Sequence, residues 1–228
     1  MTEGLHFCDR SLHIWSAILV INSHKLQILE GRLVQISPLS RFREERIVVA
    51  DSDLEPYCRR AIECGATNVK QVLPSSVVTA AWVWMKCRFG CPGYGRGHCC
   101  PPRTPGPEQT RQVLDSYRRA ILFHIEVPDM PDRAKHYQRY FDALVELEGE
   151  MFKDGYYKAF VFVAGPCRLC KKCGVLEDKP CAMPGKARPS MEGCGIDVYQ
   201  TARNNGFYIE PLRERTDTNN EYCLMMVD

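Results

Sequence analysis

The sequence lacks the short signatures of several large enzyme classes. It has no P-loop, no dinucleotide glycine fingerprint, no Ser-His-Asp order and no HExxH element. Nucleotide hydrolysis, flavin chemistry and zinc proteolysis are therefore without support. Long hydrophobic runs are missing too. The stretch Ile14 to Ile21 is far too short to span a bilayer, and it lacks the basic flank and small-residue cleavage site of a secretory signal. A large excess of one charge is also absent. The net charge of +2, with 25% charged and 45% hydrophobic residues, exerts no global pull toward nucleic acid or membrane. No internal repeat, low-complexity tract or interdomain linker is visible. A chain of 228 residues fits one domain, or one with an extension. It buries roughly 70–75% of its unfolded surface and needs no metal merely to hold a core.

What is abundant is cysteine. Thirteen is a high and odd number, and the residues cluster at 87–100 and 167–194. With no signal ahead of them, a reducing cytoplasm is the expected location, where clustered thiols read as metal ligands or redox groups. Cys167-Arg-Leu-Cys170-Lys-Lys-Cys173 places three cysteines at steps of three, with Cys181 and then Pro184 following. A loop of that pitch returns a sulfur to one small inorganic centre at each step, which is the spacing of a [4Fe–4S] loop. Four-cysteine zinc sites usually come as two separated C-x2-C knuckles, so iron–sulfur is favoured and zinc is the alternative. Arg168, Lys171, Lys172, Lys179, Lys186 and Arg188 face only Glu177 and Asp178 in this stretch. Cations around a negative cluster stabilise its reduced state, although roughly half of such lysines are ordinarily just solvated.

The first cluster, Lys86 to Arg103, carries Cys87, Cys91, Cys99 and Cys100 among four glycines and three prolines, and no acid occurs before Glu108. Glycine lets backbone turn tightly against a ligand and proline sets the exit path. Cys99 and Cys100 are adjacent and do not easily point at one cluster, so Cys87, Cys91 and Cys100 are the expected ligands. Three cysteines on a [4Fe–4S] core would leave an iron open to an exogenous ligand, as Lewis-acid chemistry requires. A structural zinc with Cys99 or His98 as fourth ligand, or an anionic substrate beside reactive thiolates, fits the same residues.

Along the chain, residues 1–50 are an extension of uncertain structure and 51–228 form the cysteine-rich domain. In the extension, Ile18–Ile21, Leu26–Leu29 and Arg32–Ile36 suggest a small hairpin. A helix begins near Leu54, with Asp53 at its cap and Cys58, Ala61 and Ile62 on one face, and stops at Gly65. Strands are predicted at Val69–Leu73, Val77–Met85, Ala120–Val127, Ala159–Val163 and Tyr222–Val227. Helices are predicted at Pro107–Tyr117, from Arg133 to about Lys153 with Tyr137, Tyr140, Phe141, Leu144, Leu147 and Met151 inward, and at Ile196–Asn205 before Gly206. The fold class is α/β, with α+β as the other possibility. It is a layered sheet with flanking helices, in which both cysteine loops leave the C-terminal ends of strands.

Lys86-Cys-x3-Cys-x2-Tyr-Gly-x4-Cys-Pro-Pro102, Ala164-Gly-Pro-Cys-x2-Cys-x2-Cys173, Pro180-Cys181 and Ala187-Arg-Pro-Ser-Met-Glu-x-Cys-Gly-Ile-Asp-Val198 occur in that order, followed by Thr201-Ala-Arg-Asn-Asn-Gly-Phe207. This succession resembles the DUF2284 family, a bacterial and archaeal group regarded as metal-binding, with iron–sulfur the expected cofactor. The resemblance runs from about residue 57 to the C-terminus. It implies metal binding at both loops, through Cys87, Cys91 and Cys100 in the first motif and Cys167, Cys170, Cys173 and Cys181 in the second. It supplies no reaction. Cys99 departs from the family pattern, where another residue precedes Cys-Pro-Pro, and reads as accessory.

The other residues have plainer readings. Cys8, Cys58, Cys64, Cys194 and Cys223 are expected to be packed thiols. Trp82, Trp84 and the Tyr137/Tyr140/Phe141 face belong to the core, and Tyr94 shields the first site. Arg188 and Glu192 either orient the second loop or are solvated. The function expected is one-electron transfer through one or two [4Fe–4S] clusters, with a redox partner protein or small-molecule substrate as counterpart. A non-redox zinc scaffold or metal carrier, and an enzyme with an open iron at the first loop, are the rivals. Neither nucleic acid nor membrane is expected as a partner.

Overall fold

The computed structural model describes residues 26–29, 32–35, 53–214 and 216–228. The chain divides into two compact units, Met1–Val48 and Val49–Asp228. In the first, strands β1 (Leu26–Leu29) and β2 (Arg32–Gln35) form an antiparallel hairpin with Leu26 opposite Gln35. The Ile18–Ile21 reading and Cys8 lie outside the described residues.

The second unit runs α1 (Glu55–Glu63), β3 (Asn68–Val72), α2 (Ala81–Gly90), α3 (Pro107–Asp115), β4 (Ala120–Val127), α4 (Arg133–Lys153), β5 (Phe160–Phe162), α5 (Val198–Asn204) and β6 (Asn219–Met226). Its strands pair in the order β3-β4-β6-β5, antiparallel throughout. The all-antiparallel ladder makes the fold α+β. Strand β4 is the spine. It alternates Ile121, Phe123, Ile125 and Val127 toward one face with Ala120 and Leu122 toward the other, and all six are buried. A strand covered on both faces reads as an unbroken apolar run, as Ala-Ile-Leu-Phe does here.

Helices α1 and α4 cover the first face. Leu54, Ala61, Tyr137, Tyr140, Leu144, Leu147 and Met151 pack there against β4, Val161 of β5 and Cys223 and Met225 of β6. Their spacing of three and four is the apolar stripe of an amphipathic helix. Ile62 lies off that stripe and is exposed. Asp53 does not cap α1, whose N-cap is Leu54 without a side-chain bond. Its carboxylate instead accepts from Arg119 and from the Tyr156 hydroxyl. The second face is covered by Leu114 of α3, Ala202 of α5 and the segment Met191, Cys194 and Ile196.

The predicted strand Val77–Met85 is the main correction. Val77–Thr79 is extended, with Thr79 bridging Ile196, but from Ala81 the chain is helical. An apolar run without periodicity does not separate strand from helix, and Ala, Met, Lys and Arg favour the helix once Val77-Val-Thr ends. Helix α2 buries only Val83, leaving Trp82 46% and Phe89 72% exposed. Trp82 is therefore not a core residue. The first cysteine loop leaves a helix, and only the second follows a strand.

Arg188, at the end of the second cysteine loop, is held by Glu148 of α4. The guanidinium donates from Nη2 to Glu148 Oε1 at 2.6 Å and from Nε to Oε2 at 2.9 Å, and Oε2 also accepts from the Val161 N–H at 2.8 Å. Both side chains are largely buried. Removing one member of such a pair leaves the other charge uncompensated. Glu148→Ala is expected to lower stability by about 3–5 kcal/mol in urea unfolding, with Glu148→Gln, which keeps the Val161 bond, costing less.

Candidate functional site

The second cysteine loop leaves β5 and returns beside it. Val163 N–H donates to Pro189 O at 3.0 Å, Met191 N–H donates to Val163 O at 2.9 Å, and Val163 and Ser190 form a parallel bridge. Everything from Ala164 to Arg188 is thus a loop closed at its base. Within it, Gly174–Glu177 makes one 3-10 turn and Lys179 N–H donates back to Gly174 O at 2.9 Å. That turn brings the segment carrying Cys181 so close that a Cβ on Gly174 would lie 2.6 Å from Pro180 O. Only glycine fits there without moving Cys181.

The result is a cavity of about 530 Å³ lined by all four second-loop cysteines, Cys167, Cys170, Cys173 and Cys181. Cys99 and Cys100 of the first loop line it as well, with His98. His98 Nε2 lies 2.9 Å from Lys179 O, joining the two loops. Among the described residues, no three His, Cys, Asp or Glu side chains converge as a ready site for one bare ion.

Cys87 and Cys91 fall elsewhere. They lie one helical turn apart at the end of α2, with Cys91 N–H donating to Cys87 O at 3.3 Å, and so share a face. They line a second cavity of about 380 Å³ with Trp82, Lys86, Glu192, Tyr199 and Glu221. The expected first-loop set is therefore divided, with Cys100 in the larger cavity and Cys87 and Cys91 in the smaller. The division is short-ranged. Burial first, then the charges of Cys91, Cys87, Cys167 and Cys173, push the Cys100 thiol up, so Cys100 stands within electrostatic reach of both groups. Burial, Cys91 and Glu192 raise Cys87 in the same way.

Cys99, which reads as accessory in the sequence, sits beside Cys167. Its S–H donates to the Cys167 sulfur, which brings Cys167 down to about 6 against the opposing effect of burial, with further help from the Leu169 N–H. Cys99 itself is raised correspondingly. No spacing rule reveals this pair, because it is made only when the two loops meet.

The segment Ser190–Asp197 holds both loops in place. Beyond its bond to Val163, it offers Gly193 O to Trp84 Nε1 at 3.0 Å and to the Thr104 hydroxyl, and Cys194 O to Thr110 Oγ1 at 2.6 Å. Ala80 N–H donates to Gly195 O, and Asp197 N–H to Val78 O, each at 2.8 Å. Gly195 has φ +77°, and a Cβ there would meet Pro107 at 2.8 Å. Cys194 and Cys223 are fully buried packed thiols, and Cys58 and Cys64 are partly buried. Trp84 is partly buried through its bond to Gly193, and Tyr94 is partly covered in the first loop.

The cationic surround is thinner than the sequence suggests. Lys172 and Lys179 both pair with Glu177, Arg188 pairs with Glu148, and Arg168 lies over the Tyr137 ring. Neither Arg188 nor Glu192 is simply solvated. Glu192 Oε2 is shut off from solvent without a hydrogen-bond partner, and burial raises its carboxyl.

In metal-free protein, alkylation of Cys167 should lose rate as pH falls through about 6, where its thiolate is protonated. Cys99→Ala removes the donor and should move that midpoint up toward about 8.5, lowering the thiolate fraction at pH 7 by roughly tenfold or more. Mass-spectrometric alkylation profiles test it, and an unchanged midpoint would take Cys99 away from Cys167.

No helix among the described residues is long and apolar enough to cross a membrane. No curated protein and no solved structure matched the chain. The family model described as "Predicted metal-binding protein (DUF2284)" matches residues 70–227, which takes in both cysteine loops, both cavities and the clamp between them. The chain belongs to the DUF2284 family of predicted metal-binding proteins.

Proposed function

We propose that this chain holds a [4Fe–4S] cluster through Cys167, Cys170, Cys173 and Cys181 and serves in one-electron transfer. The observation that carries the reading is that these four cysteines, spaced as an iron–sulfur loop, all line one cavity. Three cysteines at steps of three in one run suit a polynuclear core better than a zinc site, whose cysteines usually come as two separated pairs. A four-iron core supplies a one-electron redox centre whose potential depends on charge, hydrogen bonds and exposure. The chain's own residues set those conditions. Cys167 and Cys170 are exposed, which opens one edge of the site to a redox partner protein or small-molecule substrate, while the Arg188–Glu148 pair fixes the far side of the loop.

Cys87, Cys91 and Cys100 form the second metal site of this reading, close enough to the first for each to feel the other's charge. A second reading, an enzyme with an open iron at the first loop, draws on the cavity beside Cys87 and Cys91, which offers room for a substrate. A zinc scaffold or carrier is the redox-silent alternative.

Iron, sulfide and zinc per chain, with Mössbauer spectra after anaerobic reconstitution, test these together. Iron near four or eight is expected, and Cys170→Ser should remove about four of it. Zinc without iron would establish the scaffold reading. Turnover lost in Cys87→Ser with the second-loop spectrum intact would favour the enzyme.

A further inference from the structure

The smaller cavity has a chemistry of its own. Its walls bring together two carboxylates, Glu192 from the 3-10 turn Glu192–Cys194 and Glu221 from β6, with two aromatic rings, Trp82 and Tyr199. Ile196, Val198 and Ile209 supply an apolar floor. Glu192 Oε2 sits in this wall sealed from water and without a hydrogen-bond partner of its own, and burial raises the carboxyl even though its own backbone, Ser190 and the Gly165 N–H support it. Glu221 receives one bond, from Asn219 Nδ2 at 2.6 Å. Burial and then the charge of Glu192 push it up to about 7, against the Asn219 bond and the charges of Arg168 and Arg133.

The aromatic side of the cavity already holds an ammonium. Lys86, itself a lining residue, places Nζ 5.2 Å from the centre of the Trp82 ring. The indole is 46% exposed and the Tyr199 ring also reaches solvent. Aromatic faces of this kind attract ammonium groups through their quadrupole. The volume of about 380 Å³ exceeds what a bare ion needs and falls within the range of small-molecule pockets.

We propose that the cavity between α2, α5 and the start of β6 binds a small organic cation, a primary alkylammonium. Its charge lies between Trp82, Tyr199 and Glu221 in the field of Glu192, and its chain rests on Ile196 and Ile209. Lys86 occupies the cation position at the mouth and is displaced on binding. The carboxylates and rings define the ligand class by themselves. The proximity to Cys87 and Cys91 deepens the metal reading, because a ligand held here would lie against the first-loop metal site.

The test uses n-butylammonium, butyrate and n-butanol as matched probes, titrated by calorimetry and by tryptophan fluorescence into metal-free and reconstituted full chain. Saturable binding of butylammonium is expected, at least tenfold tighter than either of the others. Glu221→Gln and Tyr199→Ala should each weaken it by tenfold or more, and Lys86→Gln should tighten it. Tyr199 lies on the exposed side of α5, so its variant reports on binding even if a carboxylate variant fails to fold. Equal binding of all three probes, or binding of none, would overturn the proposal. Saturation by a divalent metal alone would replace it with a metal site. Butylammonium binding in a chain that takes up no iron would leave the cavity assignment standing while the cluster reading fell. Iron uptake without ammonium binding would do the reverse.

Discussion

The arrangement rests on the hydrogen bonds that the Ser190–Asp197 segment makes in two directions at once. On one side it runs parallel to Val163 and closes the second cysteine loop. On the other its carbonyls receive Trp84, Thr104, Thr110 and the Ala80 amide, fixing α2 and the exit of the first loop. The buried Met191, Cys194 and Ile196 anchor it under the sheet. Without this segment the two cysteine clusters would be separate features of the chain. With it, Cys99 reaches Cys167, and Cys100 joins the cavity of the second loop.

What could be read from the sequence was whatever depends on local pattern. The β4 run and the stripe of α4 appear with the bounds their periodicity implies, because burial on one or two faces leaves a direct trace in residue order. The second-loop cysteines are also local, and their three-residue pitch folds them to one cavity. The first loop was less legible. Val77–Met85 is apolar throughout, so its change from extended chain to helix at Ala81 has no periodic signature. The division of Cys87 and Cys91 from Cys100 follows from that helix, which holds the first two on its own face. Cys194 reads as peripheral in the sequence because its carbonyl is used more than eighty residues away, by Thr110.

Charge is organised in the same non-local way. The lysines around the second loop suggested a broad positive surround, yet Glu177 takes two of them and Glu148 takes Arg188. Beside the first-loop thiols the fold instead buries two carboxyls, Glu192 and Glu221, and burial raises both. The two cavities therefore differ in character, one rimmed by thiols and paired cations and the other by acids and aromatic rings.

The closure of the second loop at Val163 and Ser190 has a consequence for how such a chain can vary. Residues 164–189 leave and rejoin the sheet at one point, and beyond it they meet the rest of the domain through side-chain contacts such as His98 with Lys179 O and Arg188 with Glu148. The entropy of closing a loop grows only slowly with its length. Insertions after Met183 would thus tax the core little. The positions that tolerate no such drift are those of contact, Gly174 beneath Pro180 and Gly195 against Pro107. Divergence among chains built on this plan should concentrate in the loop away from these contacts, so that the binding properties of the centre can change while the sheet that carries it does not.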